Sequence, residues 1–420
     1  RAVYWYRRSA ELALEANDTT AVLERVQLAA LSGAAGEELG RLLLLRAEAH
    51  KWRGENPEAE EHAAAAMREL RVGTAEWFRA AAEAAAAGGK LRHREPLVAI
   101  EEALLAADAS LELDAARVAW ARTAIQFCYM GMLDHADRLL ALIESAGGPE
   151  AALPHARGHI YEALAVRGDE VMRIHFGDRA IAAFEAAGDE RNACNLRIAV
   201  SFGLNELGAY RRSVPLLEKT LASAERLGLS NVQATANLQL GLAKYYTGEL
   251  GEAEELVTHA LGLCRAQGNR LMEGVALSYL AALALAHGDA AAAEQHARAS
   301  IARVGEMWMA RASVDATLAR ALLARGATSE ALETARAASA ALAKAGERTS
   351  RKGLVRLVLA EALHAAGQLD EARAALREAR DRVLARSAGL DETLRADFLG
   401  AQPEHAEALR WAEELLTPNS

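Results

Sequence analysis

Cysteine is nearly absent from this 420-residue chain, and the three present, Cys128, Cys194 and Cys264, lie far apart in helix-forming segments. That excludes a disulfide framework and predicts reduced, packed thiols in a cytoplasmic protein. Seven prolines and six phenylalanines leave little to interrupt helices and few bulky runs to form strands. The dominant Ala, Leu, Glu and Arg favour helix nearly everywhere, so the fold class is all-α. No apolar run is long enough to span a membrane, and no signal-like start is present. A net charge of −10 with both signs interspersed excludes general affinity for nucleic acid or membranes, which needs a basic stripe. The nearest thing to one, Arg348, Arg351, Lys352 and Arg356, is flanked by Glu347 and Glu361 without interleaved aromatics and reads as a solvated helix face.

What the chain does contain is one recurring phrase, seen best as ANLQLGLAKYYTGELGEAEELVTHAL from Ala236 to Leu261. It reads as two amphipathic helices joined by a tight turn at Gly248. Gly241, seven residues before that turn, and Ala253, five after it, let the two helices approach closely. Turn glycines at 54, 88, 131, 168, 208, 248, 288, 326 and 367 mark the units, and their spacing settles near 40 residues from Gly168 onward. A fixed period of this size means stacked hairpins, each contacting its neighbours, so one continuous array overrides the several domains that length alone suggests.

The hairpins before residue 190 are irregular. The first, turning at Asn17, Asp18 and Thr19, lacks the Gly; the second is well formed, with Ala47, Gly54, Ala59 and an early Pro57. The third is degenerate around Gly88, Gly89 and Lys90, with a polar loop expected as far as Pro96. The fourth recovers the pattern with Ala124, Gly131 and Ala136. In the fifth, Tyr161 and Arg173 replace the small residues, which predicts wider packing or a second helix delayed to about Asp178. Residues 191–386 keep clean register, apart from Pro215, where a kink or late helix start is expected. Residues 387–420 form capping helices and a frayed tail from Thr417 to Ser420.

Chemistry-bearing motifs are missing. Gly88-Gly89-Lys90 is followed by Leu91 and has no preceding strand, so it is no phosphate loop, and no kinase catalytic loop, G-x-S-x-G elbow or H-E-x-x-H helix occurs. No catalytic residue, cofactor or metal is therefore predicted, and the chain reads as a non-enzyme. His155 and His159, with Glu162 one turn on and His175 beyond, have spacing that can seed a metal site, but read as ordinary exposed or half-buried histidines. Trp5, Trp52, Trp77, Trp120, Trp308 and Trp411 read as packing anchors between hairpins.

The spacing of small residues, Gly and Ala resembles the tetratricopeptide repeat (TPR) signature across about 390 residues. The resemblance implies a right-handed α-solenoid of about ten helical hairpins with a C-terminal helical cap. Phrases such as LVLAEALHAAGQLDEARAAL and LDETLRADFLGAQPEHAEAL also resemble the C-terminal region of bacterial multidomain signalling proteins. In these a serine/threonine kinase or STAND-type ATPase precedes such repeats, and maltose-regulon-type activators carry a similar array. This implies a regulatory sensor arm whose ATPase or kinase modules lie upstream of Arg1. The family's inner-wall positions fall here on Asn195, Phe202, Asn205, Leu238, Leu242, Tyr245, Ser278, Ala282, Arg320, Leu357, Glu361 and His364. They imply a groove for a protein or peptide ligand, with Asn able to satisfy a peptide backbone and Phe202 and Tyr245 offering apolar contact. Two alternatives are a self-association scaffold for a STAND-type homo-oligomer and a quorum-sensing-type peptide receptor.

Overall fold

The structure, a computed structural model, describes residues 1–16, 18–305, 308–345 and 350–416, and among these no strand occurs. Asn17, Glu347, Arg348 and the tail from Thr417 to Ser420 lie outside the described residues, as does the side chain of Trp308. The chain packs as two compact units, Arg1–Asp189 and Glu190–Ser420.

Unit 1 holds five hairpins. They are Ala2–Glu15 (α1) with Thr19–Leu31 (α2), Gly36–Arg53 (α3) with Asn56–Glu69 (α4), and Ala75–Leu91 (α5) with Arg94–Ala106 (α6). Leu113–Met130 (α7) with Leu133–Ser145 (α8) and Pro154–Arg167 (α9) with Glu170–Ala186 (α10) complete it. Unit 2 holds five more. Glu190–Glu206 (α11) pairs with Tyr210–Arg226 (α12), Ser230–Thr247 (α13) with Leu250–Ala266 (α14), and Arg270–Ala286 (α15) with Ala290–Val304 (α16). Trp308–Ala324 (α17) pairs with Thr328–Ala345 (α18) and Lys352–Ala365 (α19) with Leu369–Ser387 (α20). A short helix, Glu392–Ala396 (α21), a π turn over Asp397–Ala401 and Pro403–Leu416 (α22) follow.

The small residues do what their spacing requires. Ala47, Ala124, Ser201, Ser213, Ala253, Ala281, Ala293, Ala319, Ala331 and Ala360 are wholly inaccessible to solvent. At Gly241 a Cβ would sit 2.6 Å from Val257 Cγ2 and 3.2 Å from the Ala253 carbonyl, so the two helices of that hairpin touch through backbone. Gly54, Gly131, Gly208, Gly248, Gly288, Gly326 and Gly367 all take positive φ at the hairpin turns. A second close approach recurs fourteen residues before three of these turns: Gly40 lies against Leu70, Gly274 against Val304 and Gly353 against His405. Aromatic anchors are uneven. Trp77 and Trp120 are buried in the main unit 1 core with Phe78 and Phe127, and Trp411 packs against Leu357 and Ala408, whereas Trp5 is 62% exposed.

Several expectations need correction. Gly88 and Gly89 make no turn: α5 runs through them, because a Cβ there would meet Glu60 Oε1 at 2.7 Å and Gln126 Oε1 at 2.4 Å on neighbouring helices. The turn moves to Arg92, in the left-handed region at φ 62, and α6 starts two residues later with no loop to Pro96. In the fifth hairpin α10 starts at Glu170 rather than near Asp178, since the Asp169 carboxylate accepts the Met172 N–H and caps it. Close packing there passes to Gly158, whose Cβ would lie 2.6 Å from the Phe184 ring. Helix α12 likewise begins on time at Tyr210, with Pro215 inside it.

Candidate recognition surfaces on the inner helices

Within each unit the first helices of successive hairpins pack side by side, α3 on α5, α5 on α7 and α7 on α9 in unit 1, and α11 on α13, α13 on α15, α15 on α17 and α17 on α19 in unit 2, and the side they share is that unit's inner face. In unit 2 that face converges on the C-terminal segment of the same chain. Gln402 Nε2 donates to the carbonyls of Asn205 at 3.1 Å and Glu206 at 2.7 Å, and Gly208 abuts the Asp397 carbonyl so closely that a Cβ would lie 2.6 Å from it. Tyr246 Oη donates to Glu404 Oε1 at 2.9 Å, and Arg351 donates from Nε to Tyr246 Oη at 3.3 Å and lies 3.5 Å from Glu404. The Arg351 backbone N–H reaches Glu206 Oε1 at 3.2 Å, and its Nη1 donates to Thr317 Oγ1 at 3.4 Å. Tyr210 stacks on Tyr246 with ring centroids 4.9 Å apart.

This cluster is buried. The side chains of Arg351 and Glu404 are 7% and 4% exposed. Burial works to neutralise both, but Arg351 and then Arg320 hold the Glu404 carboxyl below its usual range, and Tyr246 and Glu404 hold Arg351 charged. Burial pushes the Tyr279 phenol up to about 12. The expected solvated face is corrected here: Arg351 opens α19 inside the unit, and Lys352 is buried beside it, because their surroundings come from α11, α13 and α22 rather than from adjacent sequence.

The residues singled out from the sequence fall as follows. Leu238 and Leu242 are buried with Ala260, Val257 and Leu277 and present no free surface. Asn205 is buried, its amide donating to the Gln239 carbonyl at 3.1 Å. Tyr245 is half-buried, edge-on to Tyr246. Arg320 forks onto Glu361 at 2.7 and 3.3 Å and reaches Glu407 of α22 at 3.5 Å. His364 is exposed, edge-on to Trp411. Asn195 is exposed and Phe202 half-buried. Arg320, Glu361 and Asn205 are thus tied directly to the C-terminal segment or to its immediate supports.

Unit 1 shows a different inner face, which the sequence reading did not single out. Ion pairs run across it from helix to helix. Arg7 meets Glu38 at 2.8 Å, and Arg41 meets Glu76 at 3.2 Å. Arg79 donates to Glu48 at 2.8 Å, while Glu83 accepts from both Lys51 and Arg122 at 2.8 Å. Burial opposes the Glu83 charge, but Arg122 and Lys51 together hold its carboxyl well below the usual range. Tyr129 is 56% exposed, yet surrounding protein pushes its phenol up to about 12. Lys90 is exposed, yet burial and then the charge of Lys51 lower its ammonium.

His155 and His159 meet edge to face with ring centroids 4.9 Å apart; His155 is exposed and pairs with Asp189, whereas His159, expected exposed or half-buried, is buried against Phe184 and pairs with Glu162. Among the described residues no group of three or more potential ligands is placed to hold a metal, and no helix is long and apolar enough to cross a membrane. The buried histidines carry a pH prediction. Burial, the first cause in each case, lowers the His159 and His405 imidazoles, so both are neutral in the fold and protonate more readily once unfolded. Their contribution to stability is present above the ordinary histidine range of about 6.5 and is lost as pH falls through it. The melting temperature should fall between pH 7.5 and 5.5, and less so in His159→Gln/His405→Gln. Glu83 and Glu404, held low, stay charged over that interval and weaken the fold only at more acid pH.

No protein-family model matches the chain, and no curated protein matches its sequence. Solved structures share its fold. Apo RapI is 13% identical with a TM-score of 0.54, covering 80% of this chain and 95% of that one. NprR in complex with its cognate peptide NprX is 15% identical with a TM-score of 0.50, covering 91% and 99%. A signal transduction ATPase with numerous domains and a tetratricopeptide repeat sensor, from Pyrococcus horikoshii, is 13% identical with a TM-score of 0.52 over 78% of this chain. The match spans about half of that protein, 53%. At these identities the likeness shows the architecture, a TPR-like all-α repeat array.

Proposed function

We propose that this chain is a non-catalytic recognition arm that binds a protein or peptide segment on its inner helices and regulates modules attached to it. One observation carries the reading: the inner face of unit 2 already grips a stretch of polypeptide, its own residues 397–407. It does so through backbone carbonyls at Asn205 and Glu206 and charged side chains at Arg320 and Arg351. A surface built to hold a segment in cis can hold one in trans, and a ligand favouring one arrangement of that segment shifts its population. NprR bound to its peptide and the STAND protein with its repeat sensor support this reading by shared architecture.

The test is direct. Degenerate dodecapeptide pools are passed over the immobilised full chain, and retained sequences are titrated by calorimetry. Saturable one-to-one binding, roughly micromolar, is expected. A chain that retains no peptide from any pool is not a peptide-recognition arm.

A further inference from the structure

The inner face of unit 2 shows what kind of segment such a surface takes. Its tenant, DFLGAQPEHAE over residues 397–407, brings Glu404 to Arg351 and Glu407 to Arg320. The carboxylates lie on the segment and the guanidinium groups on the wall. Unit 1 has the cationic wall. Lys51, Arg79, Lys90 and Arg122 project from the facing helices α3, α5 and α7 among three carboxylates, Glu48, Glu83 and Glu162. Arg79 is taken by Glu48, and Glu83 is shared between Lys51 and Arg122. Glu162 accepts from His159 at 3.1 Å. That leaves Lys90, in the last turn of α5 about two turns beyond Glu83, without an ion-pair partner among the described residues, and burial and the charge of Lys51 outweigh the support it draws from Glu83. Half-exposed Tyr129, in the last turn of α7, supplies an apolar flank.

We propose that the inner face of unit 1 binds an acidic polypeptide segment, with one carboxylate on Lys90 and others along the Lys51–Arg122 rung. This rests on the recognition-arm reading above and names its ligand class. A carboxylate arriving at Lys90 supplies the counter-charge it lacks, so charge is the discriminating property. A single-stranded nucleic acid is a poorer fit, because the cations here are interleaved with Glu48 and Glu83, whose charges would meet a phosphate backbone.

Three dodecapeptide pools test it on the full chain: one randomised over Asp, Glu, Ala, Leu, Ser and Gly, the same pool with Asn and Gln for the acids, and a third with Lys and Arg. Retention of the acidic pool at least tenfold above the amide pool is expected. Clones from it should weaken about fivefold or more in Lys90→Gln, which alters an exposed side chain with no ion pair among the described residues, and an unchanged melting temperature checks that the fold is intact. Arg122→Gln should weaken them too, while Arg336→Gln on α18 should not. Equal retention of acidic and amide pools overturns the charge preference and leaves the recognition reading standing. So does preference for the basic pool, or an unchanged affinity in Lys90→Gln. No retention of any pool overturns both readings. Displacement of the acidic clones by oligo-dT at equal concentration would show an indiscriminate polyanion site and also overturn the proposal.

Discussion

Arg351→Met should destabilise unit 2 by about 3–5 kcal/mol, because it leaves the Glu404 carboxylate buried without its nearest counter-charge. Arg351 is placed by four elements at once: Glu206 of α11, Tyr246 of α13, Thr317 of α17 and Glu404 of α22. Glu404 Oε2 already lacks a hydrogen-bond partner, so no protein donor stands ready to replace the lost guanidinium. Urea unfolding followed by far-ultraviolet circular dichroism measures the loss. The companion experiment decides its cause. Replacing both ions, Arg351→Met with Glu404→Leu, should recover most of the stability, since two apolar side chains in a buried site cost far less than one orphaned charge. A double variant as unstable as the single one would show that packing around Arg351, not charge pairing, holds the segment.

This cluster also shows where the sequence stops speaking. The hairpins were legible because their determinants are local: a tiny residue seven before a Gly and another five after it fix one helix against the next, as Gly241 and Ala253 do. Where the determinant lies on a different helix, the same rules misread it. Gly88 and Gly89 carry the glycine of a turn but serve the approach of Glu60 and Gln126. Tyr161 was a misfit only until Gly158, three residues earlier, met Phe184. Arg351 belongs to a run that reads as solvated, and its burial depends on Glu404, 53 positions along the chain, and on Glu206 far before it. The inner positions counted from the turn Gly include Asn205 and Arg320, but nothing local announces that residues 397–407 lie against them.

The ion pairs across unit 1 have a signature in the sequence. Glu48 and Lys51, Arg79 and Glu83, then Arg122, put opposite signs at matching heights on successive first helices, 31 to 39 residues apart. Such offsets near one repeat are the array's counterpart of cross-strand pairs. What they could not reveal is the excess: that Glu83 is shared by two cations and Lys90 is left over depends on side-chain reach, not spacing.

Gly208→Ala should cost more than Gly248→Ala, although both glycines end the first helix of a hairpin in the left-handed region, at φ 75 and 89. Each substitution pays the same conformational penalty of about 1–2 kcal/mol for an L side chain there. At Gly248 the new methyl meets nothing within 4 Å, whereas at Gly208 it would lie 2.6 Å from the Asp397 carbonyl oxygen and 3.1 Å from Gln402 Cγ. The obstacle is backbone, so the C-terminal segment must lift away, losing the Gln402 bonds to Asn205 and Glu206 and adding about 1–3 kcal/mol. Hydrogen exchange separates the two effects: Gly208→Ala should speed exchange across 392–407 well beyond the change at its own turn, while Gly248→Ala should leave that stretch as it is. Should the two variants prove equally stable and equally protected there, the segment does not rest on Gly208, and the picture of unit 2 as a surface already holding a ligand of its own goes with it.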